Sequence, residues 1–173
     1  MQAIQTALEE AGVEFLEHMG VRFRTDHLDV QTFEGKDSPI RLWHDILDTL
    51  RPGEERVISG VDEAMFEHIG GERFHEILRK FKKKGIKGRI LLCEGDTHFV
   101  DPTVEYRWIP KEYFAQVPTY VYGNKLAMLL WEPVQRVVQV DNKALADAHR
   151  KQFDALWQNA TLPPFKFKVK PQG

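Results

Sequence analysis

Hydrophobic and polar positions along this chain follow two different periods, and each change of period marks an element. Ile4, Ala7, Leu8 and Ala11 recur at helical spacing, with Gly12 placed to end that helix. Two β-prone runs follow, Val13-Glu-Phe-Leu and Val21-Arg-Phe-Arg, joined through His18-Met19-Gly20 as a hairpin. Leu28 to Phe33 alternates apolar and polar residues, as a half-buried strand does. Ser38 and Pro39 then predict a helix opened by a hydroxyl cap and a first-turn proline. Its apolar face is Ile40, Trp43, Ile46, Leu47 and Leu50, and Pro52-Gly53 ends it.

The middle of the chain repeats the scheme. Arg56 to Val61 reads as a short strand, and Asp62 is placed to cap a following helix. Gly70-Gly71 interrupts that helical stretch, and a longer helix starts near Glu72 with Phe74, Ile77, Leu78 and Phe81 inward. Gly88 to Gly95 is nearly all apolar, the mark of a strand buried on both faces. Glu105–Ile109, Thr119–Tyr122, Lys125–Trp131 and Arg136–Val140 are further strands, with turns at Gly123-Asn124 and Glu132-Pro133. A last helix spans about Asn142 to Ala160, its stripe formed by Leu145, Ala148, His149, Phe153, Leu156 and Trp157. This order predicts an α/β fold, a mixed β-sheet flanked by helices on both faces. The chain divides into residues 1–31, residues 32–160 and a basic tail or swapped arm at 161–173. In such sheets ligands bind beyond the carboxyl ends of the strands, which directs attention to Ser59–Asp62 and Glu94–His98.

Charge changes this picture locally. The 173 residues carry 24 Lys plus Arg and 26 Asp plus Glu, a net charge of −2. That balance excludes capture of nucleic acid by the charge of the whole chain. Yet Arg79, Lys80, Lys82, Lys83, Lys84, Lys87 and Arg89 fall within eleven residues that contain no acid. Cations at a helix end interact favourably with the macrodipole, and Lys82, Lys83 and Lys84 are also candidates for phosphate contact. The tail from Phe165 alternates aromatic or aliphatic residues with Lys166, Lys168 and Lys170, which suits either a strand added to a sheet edge, as in a partner subunit, or a disordered end.

Catalytic and cofactor motifs are scarce. There is no His-Glu-x-x-His, no paired-cysteine motif, no Gly-x-Ser-x-Gly and no phosphate-cradling glycine loop. His68, Glu72 and His75 would share a helix face only if Gly70-Gly71 left the helix continuous, so no metal is expected. Cys93 sits in an apolar strand and reads as an unreactive thiol. No cofactor is expected. No run is long enough to span a membrane, and the start lacks the features of a secretory signal, so the expected location is the cytoplasm. Aromatic residues crowd between Tyr106 and Trp131, either as packing or as the lining of a small-molecule pocket.

Two stretches resemble known regulators. Ile4-Gln-Thr-Ala-Leu-Glu-Glu-Ala-Gly-Val-Glu-Phe-Leu, with Gly20-Val-Arg-Phe-Arg, resembles the end of an XRE-type helix-turn-helix domain. The resemblance covers about 24 residues and lacks a recognition helix, which implies a remnant that does not itself bind DNA. Residues 32–160 are similar to the effector domains of helix-turn-helix regulators, including the TrmB-like group. Val57-Ile-Ser-Gly, Lys84-Gly-Ile-Lys-Gly-Arg-Ile-Leu, Tyr120-Val-Tyr-Gly-Asn-Lys-Leu-Ala and Phe153-Asp-Ala-Leu-Trp carry that likeness. Those domains resemble half of a phospholipase D fold, whose active motif is His-x-Lys, four residues, then Asp. Aligned on Lys125, the histidine position is Gly123 and the aspartate position is Leu130.

The resemblance therefore implies a catalytically silent, homodimeric sensor module that reaches DNA only through a separate reader. Such a module would bind a small-molecule effector or a partner protein, and the strand ends and the aromatic region offer Asp62, Glu94, Asp96, Thr97, His98, Arg107, Tyr122 and Lys125 as its expected ligand-binding residues. The alternatives are a phosphodiester- or nucleotide-processing enzyme, and a DNA-binding protein using residues 79–89.

Overall fold

Seven strands hydrogen-bond into one sheet in the order β3-β9-β8-β7-β4-β5-β6. They are β3 (Asp29–Glu34), β4 (Glu55–Ser59), β5 (Lys87–Cys93), β6 (Glu105–Ile109), β7 (Thr119–Tyr122), β8 (Lys125–Leu130) and β9 (Arg136–Asp141). The structure, a computed structural model, describes residue 4 and residues 13–16, 20–23, 28–131 and 133–164. β1 (Val13–Leu16) and β2 (Gly20–Phe23) pair antiparallel as a separate two-stranded sheet, which is the expected hairpin. The first helix, apart from the helical Ile4, and the alternating tail from Phe165 lie outside the described residues.

The sheet is mixed. β4, β5 and β6 run parallel, and β7 inserts antiparallel beside β4. One face carries α1 (Ser38–Thr49) and α2 (Glu63–Lys84), and the other carries α3 (Lys143–Asn159). α1 buries Ile40, Trp43, Ile46 and Leu47 on the face their spacing predicts, each contributing about 1.5–3 kcal/mol of burial. Trp43 meets Phe66 and Phe74 of α2 at ring separations of 5.4 and 4.8 Å. The second core is smaller, with Val57, Leu91, Val121 and Leu126 under Phe153 and Trp157 of α3.

Two local expectations are corrected, and one is met. The N-cap of α1 is Asp37 rather than Ser38, whose Oγ is buried without a partner; Pro39 still sits in the first turn. The break expected at Gly70-Gly71 is present: α2 consists of two helical segments that meet in a kink at Gly71, whose φ of 50° and ψ of −135° lie outside helical space. Finally, α3 turns Ala146 inward beside Phe153 and Trp157, while Ala148 is exposed and Leu156 is 40% exposed. No helix among the described residues is long and apolar enough to cross a membrane.

Candidate functional site

Because β7 runs against β4, Tyr122 pairs with Arg56 at the amino end of β4, and Thr119 pairs with Ser59 at its carboxyl end. The residues singled out from sequence therefore do not converge. Tyr122 and Lys125 lie at the amino end of the parallel strands, and Asp62 and Glu94–His98 at the carboxyl end. Arg107 belongs to the opposite face, where Nη1 donates to the Trp157 carbonyl at 2.8 Å and the guanidinium covers the Trp157 ring.

At the amino end, Asp45 of α1 collects the polar groups of the β7–β8 hairpin. Lys125 Nζ donates to Asp45 Oδ1 and Oδ2 at 2.8 and 2.9 Å, and Tyr122 OH donates to Oδ2 at 2.8 Å. The Gln139 side chain lies 3.3 Å from the same hydroxyl. Burial, reinforced by the Asp45 charge, raises the Tyr122 phenol well above its ordinary range. Gly123, at the histidine position of the resembled motif, has φ +53°, and a β-carbon there would stand 2.9 Å from Thr49 Cγ2. Leu130, at the aspartate position, lies on β8. The hairpin thus holds a lysine already neutralised by a carboxylate, with no nucleophile in the motif's histidine place.

At the carboxyl end, most of the candidates serve the backbone. Asp62 caps α2 by accepting from Met65 N at 3.1 Å, and Asp96 Oδ1 accepts from His98 N at 2.8 Å. Glu94 and Thr97 are exposed. His98 Nε2 lies 2.9 Å from Glu67 Oε2, and His75 Nε2 lies 3.1 Å from Glu67 Oε1. That contact ties the β5–β6 loop to α2. Among the described residues, no three His, Cys, Asp or Glu side chains are placed to hold a metal ion.

A second tie, buried beneath the same loop, was not foreseen from the sequence. Glu63, in the first turn of α2, accepts from Val100 N at 2.6 Å and from Tyr106 OH at 2.7 and 2.8 Å. Asp101 N donates to Tyr106 OH, and Asp101 Oδ2 takes Arg56 Nη2 at 2.6 Å, with both side chains at most 3% exposed. The Arg56 guanidinium lies 4.0 Å from the Phe81 ring centre, and its Nη1 has no hydrogen-bond partner. Desolvation, against the two donated hydrogen bonds, pushes Glu63 up to about 8. Two hints were legible in principle. Alternation places Arg56 on the same strand face as the core residue Ile58, and Glu63 directly follows the cap residue. The partners Asp101 and Tyr106 are distant in sequence, and no spacing rule connects them.

Beside this network a cleft of about 360 Å³ opens between α2 and residues 100–103. Behind it lies a cavity of about 20 Å³. The basic run does not form one patch. Arg79 pairs with Glu72, Lys84 donates to the Leu47 carbonyl, and Arg89 turns to the other face to bind Glu55 and Asp154. Lys82 and Lys83 remain exposed in the last turn of α2, where they complement its dipole.

No protein-family model and no curated protein matches the chain. Solved structures do. NucT from Helicobacter pylori aligns over 79% of this chain and 100% of its own, at 9% identity and a TM-score of 0.56. Nuc from Salmonella typhimurium, a phospholipase D family member, aligns over 78% and 97%, at 11% identity and a TM-score of 0.52. The structure of TrmBL2, described as an archaeal chromatin protein with a novel mode of DNA binding, aligns over 94% of this chain at 16% identity and a TM-score of 0.53. This chain spans 63% of that structure's length. The chain shares the phospholipase D-like fold, as the resemblance implied.

Proposed function

We propose that this chain is a non-catalytic regulatory module that binds a small effector on a phospholipase D-like fold. The observation that carries this reading is the β7–β8 hairpin. Phosphodiester cleavage on this scaffold would need a nucleophile two residues before Lys125, where the chain has Gly123 packed against Thr49. Lys125 is meanwhile committed to Asp45. A regulatory module needs a site that holds a ligand without turning it over, and the cleft beside α2 offers enough volume for a small molecule. A homodimer and indirect access to DNA belong to the same reading.

The test pairs two assays on the intact chain. Hydrolysis of bis(4-nitrophenyl) phosphate is expected at background, and a thermal-shift screen of metabolites is expected to raise the melting temperature with at least one compound. Turnover abolished by Lys125→Ala would overturn the proposal.

Direct DNA contact is the second reading, favoured by exposed Lys80, Lys82, Lys83 and Lys87 near the end of α2. It requires an affinity that falls steeply with salt and is lost in a Lys82→Gln/Lys83→Gln variant.

A further inference from the structure

Two hollows in this protein share a wall. The outer cleft is bounded by Arg79 and Lys82 on one side and by Val100, Pro102 and Thr103 on the other. The inner cavity is lined by Trp43, Phe66, Phe74, Phe81 and Tyr120, with Arg56 and Glu63 as polar members beside Asp101. Leu78 and Asp101 border both. Leu78 is half-buried, while Asp101 is held by Arg56, so the apolar side chain is the part of the wall with freedom to move.

Arg56 is the unfinished part of this arrangement. One guanidinium nitrogen is spent on Asp101, the plane is stacked on Phe81, and Nη1 is buried without an acceptor. A buried donor left without a partner is costly, and a charged N–H donor is well matched by a carboxylate oxygen. A cavity of about 20 Å³ has room for a single water and no more. A larger occupant must enter from the cleft by displacing Leu78. The kink at Gly71 lies between Phe66 and Phe74, two of the aromatic walls, so α2 is interrupted where the cavity would have to widen. Charge at the mouth favours an anion. Glu72 is compensated by Arg79 and Asp101 by Arg56, whereas Lys82 is exposed.

We infer that cleft and cavity together form one binding site for a small organic carboxylate with a flat apolar body, its carboxylate on Arg56 Nη1 and its body against Leu78 and the aromatic walls. The inference rests on the regulatory reading above, and it supplies the chemical class of the effector.

The experiment uses benzoate and phenylacetate, with benzamide and phenylacetamide as uncharged controls. Binding is followed by thermal shift and by ligand-observed NMR on the intact chain. Saturable binding of a carboxylate, at least tenfold tighter than its amide, is expected. Leu78→Trp, which fills the shared wall, should abolish it. Lys82→Gln changes an exposed side chain outside the core and should weaken binding several-fold without altering the fold. Arg56→Lys should bind at least tenfold more weakly; because it also touches the core, its melting curve is read beside the Lys82→Gln result. Equal binding of acid and amide would overturn the inference, as would carboxylate binding that survives Leu78→Trp. If neither acid binds while another metabolite still raises the melting temperature, the carboxylate site falls and the regulatory module stands. Lys125-dependent phosphodiester turnover would remove the regulatory reading while leaving a measured carboxylate affinity intact.

Discussion

At the scale of single residues, Arg56 and Glu63 are where this fold stores its electrostatic risk. Removing one member of a buried ion pair strands the other charge, so Arg56→Met is expected to cost about 3–5 kcal/mol in urea unfolding. The double variant Arg56→Met/Asp101→Leu should recover much of that loss; no recovery would mean the pair is not the source. Glu63 gives a pH signature. Its native form keeps a proton up to about 8, whereas the unfolded chain releases it near 4.5. The native state thus binds more protons between these values, and stability falls as pH rises across the window, by up to about 1.4 kcal/mol per unit, then levels off. Glu63→Gln should flatten that slope in unfolding midpoints at pH 5, 7 and 9. An unchanged slope would assign the dependence to another group. A signal for half of this network exists in the sequence, though it was not read there, since Arg56 shares a strand face with Ile58. The other half has no such signal, because Asp101 lies 45 residues away in a loop whose path depends on the β5–β6 crossover.

Elements were more legible than residues, for a physical reason. The apolar period of α1 and the continuous apolar run of β5 are local signals, and both match the structure. Where a helix covers only part of a sheet, period alone does not fix its rotation. In α3 that rotation follows Arg89, which reaches across to Asp154, and the two aromatic anchors Phe153 and Trp157. Trp157→Ala should therefore cost about 3–5 kcal/mol by thermal or urea unfolding, while Leu156→Ala, at an exposed position, should cost under about 1 kcal/mol. Gly71 supplies the positive φ of the α2 kink, with a ψ outside the left-handed helical region, and an added β-carbon meets nothing, so Gly71→Ala should cost about 1–3 kcal/mol through backbone strain alone. A neutral or stabilising result would show that the helix straightens there.

The whole molecule decides which chemistry is reachable. From sequence, the carboxyl ends of the strands and the Lys125 hairpin pass as neighbours. The antiparallel insertion of β7 sends them to opposite ends of the sheet, a fact of strand order that no local pattern records. This also bears on re-engineering. Gly123→His alone is expected to leave phosphodiester hydrolysis at background, because Thr49 occupies the space of the new β-carbon and Asp45 still holds Lys125. Rate enhancement dependent on both residues would refute that expectation.

The strand order carries one more consequence. Asp29 begins β3 at one edge, while Thr161 bridges Trp108 of β6 at the other, and the two positions also lie toward opposite strand ends. Six inter-strand steps of about 4.8 Å separate those edges, roughly 30 Å of hydrogen-bonded backbone. The chain therefore enters the sheet and leaves it at opposite edges, so its two points of attachment are set about a sheet width apart by backbone hydrogen bonding alone.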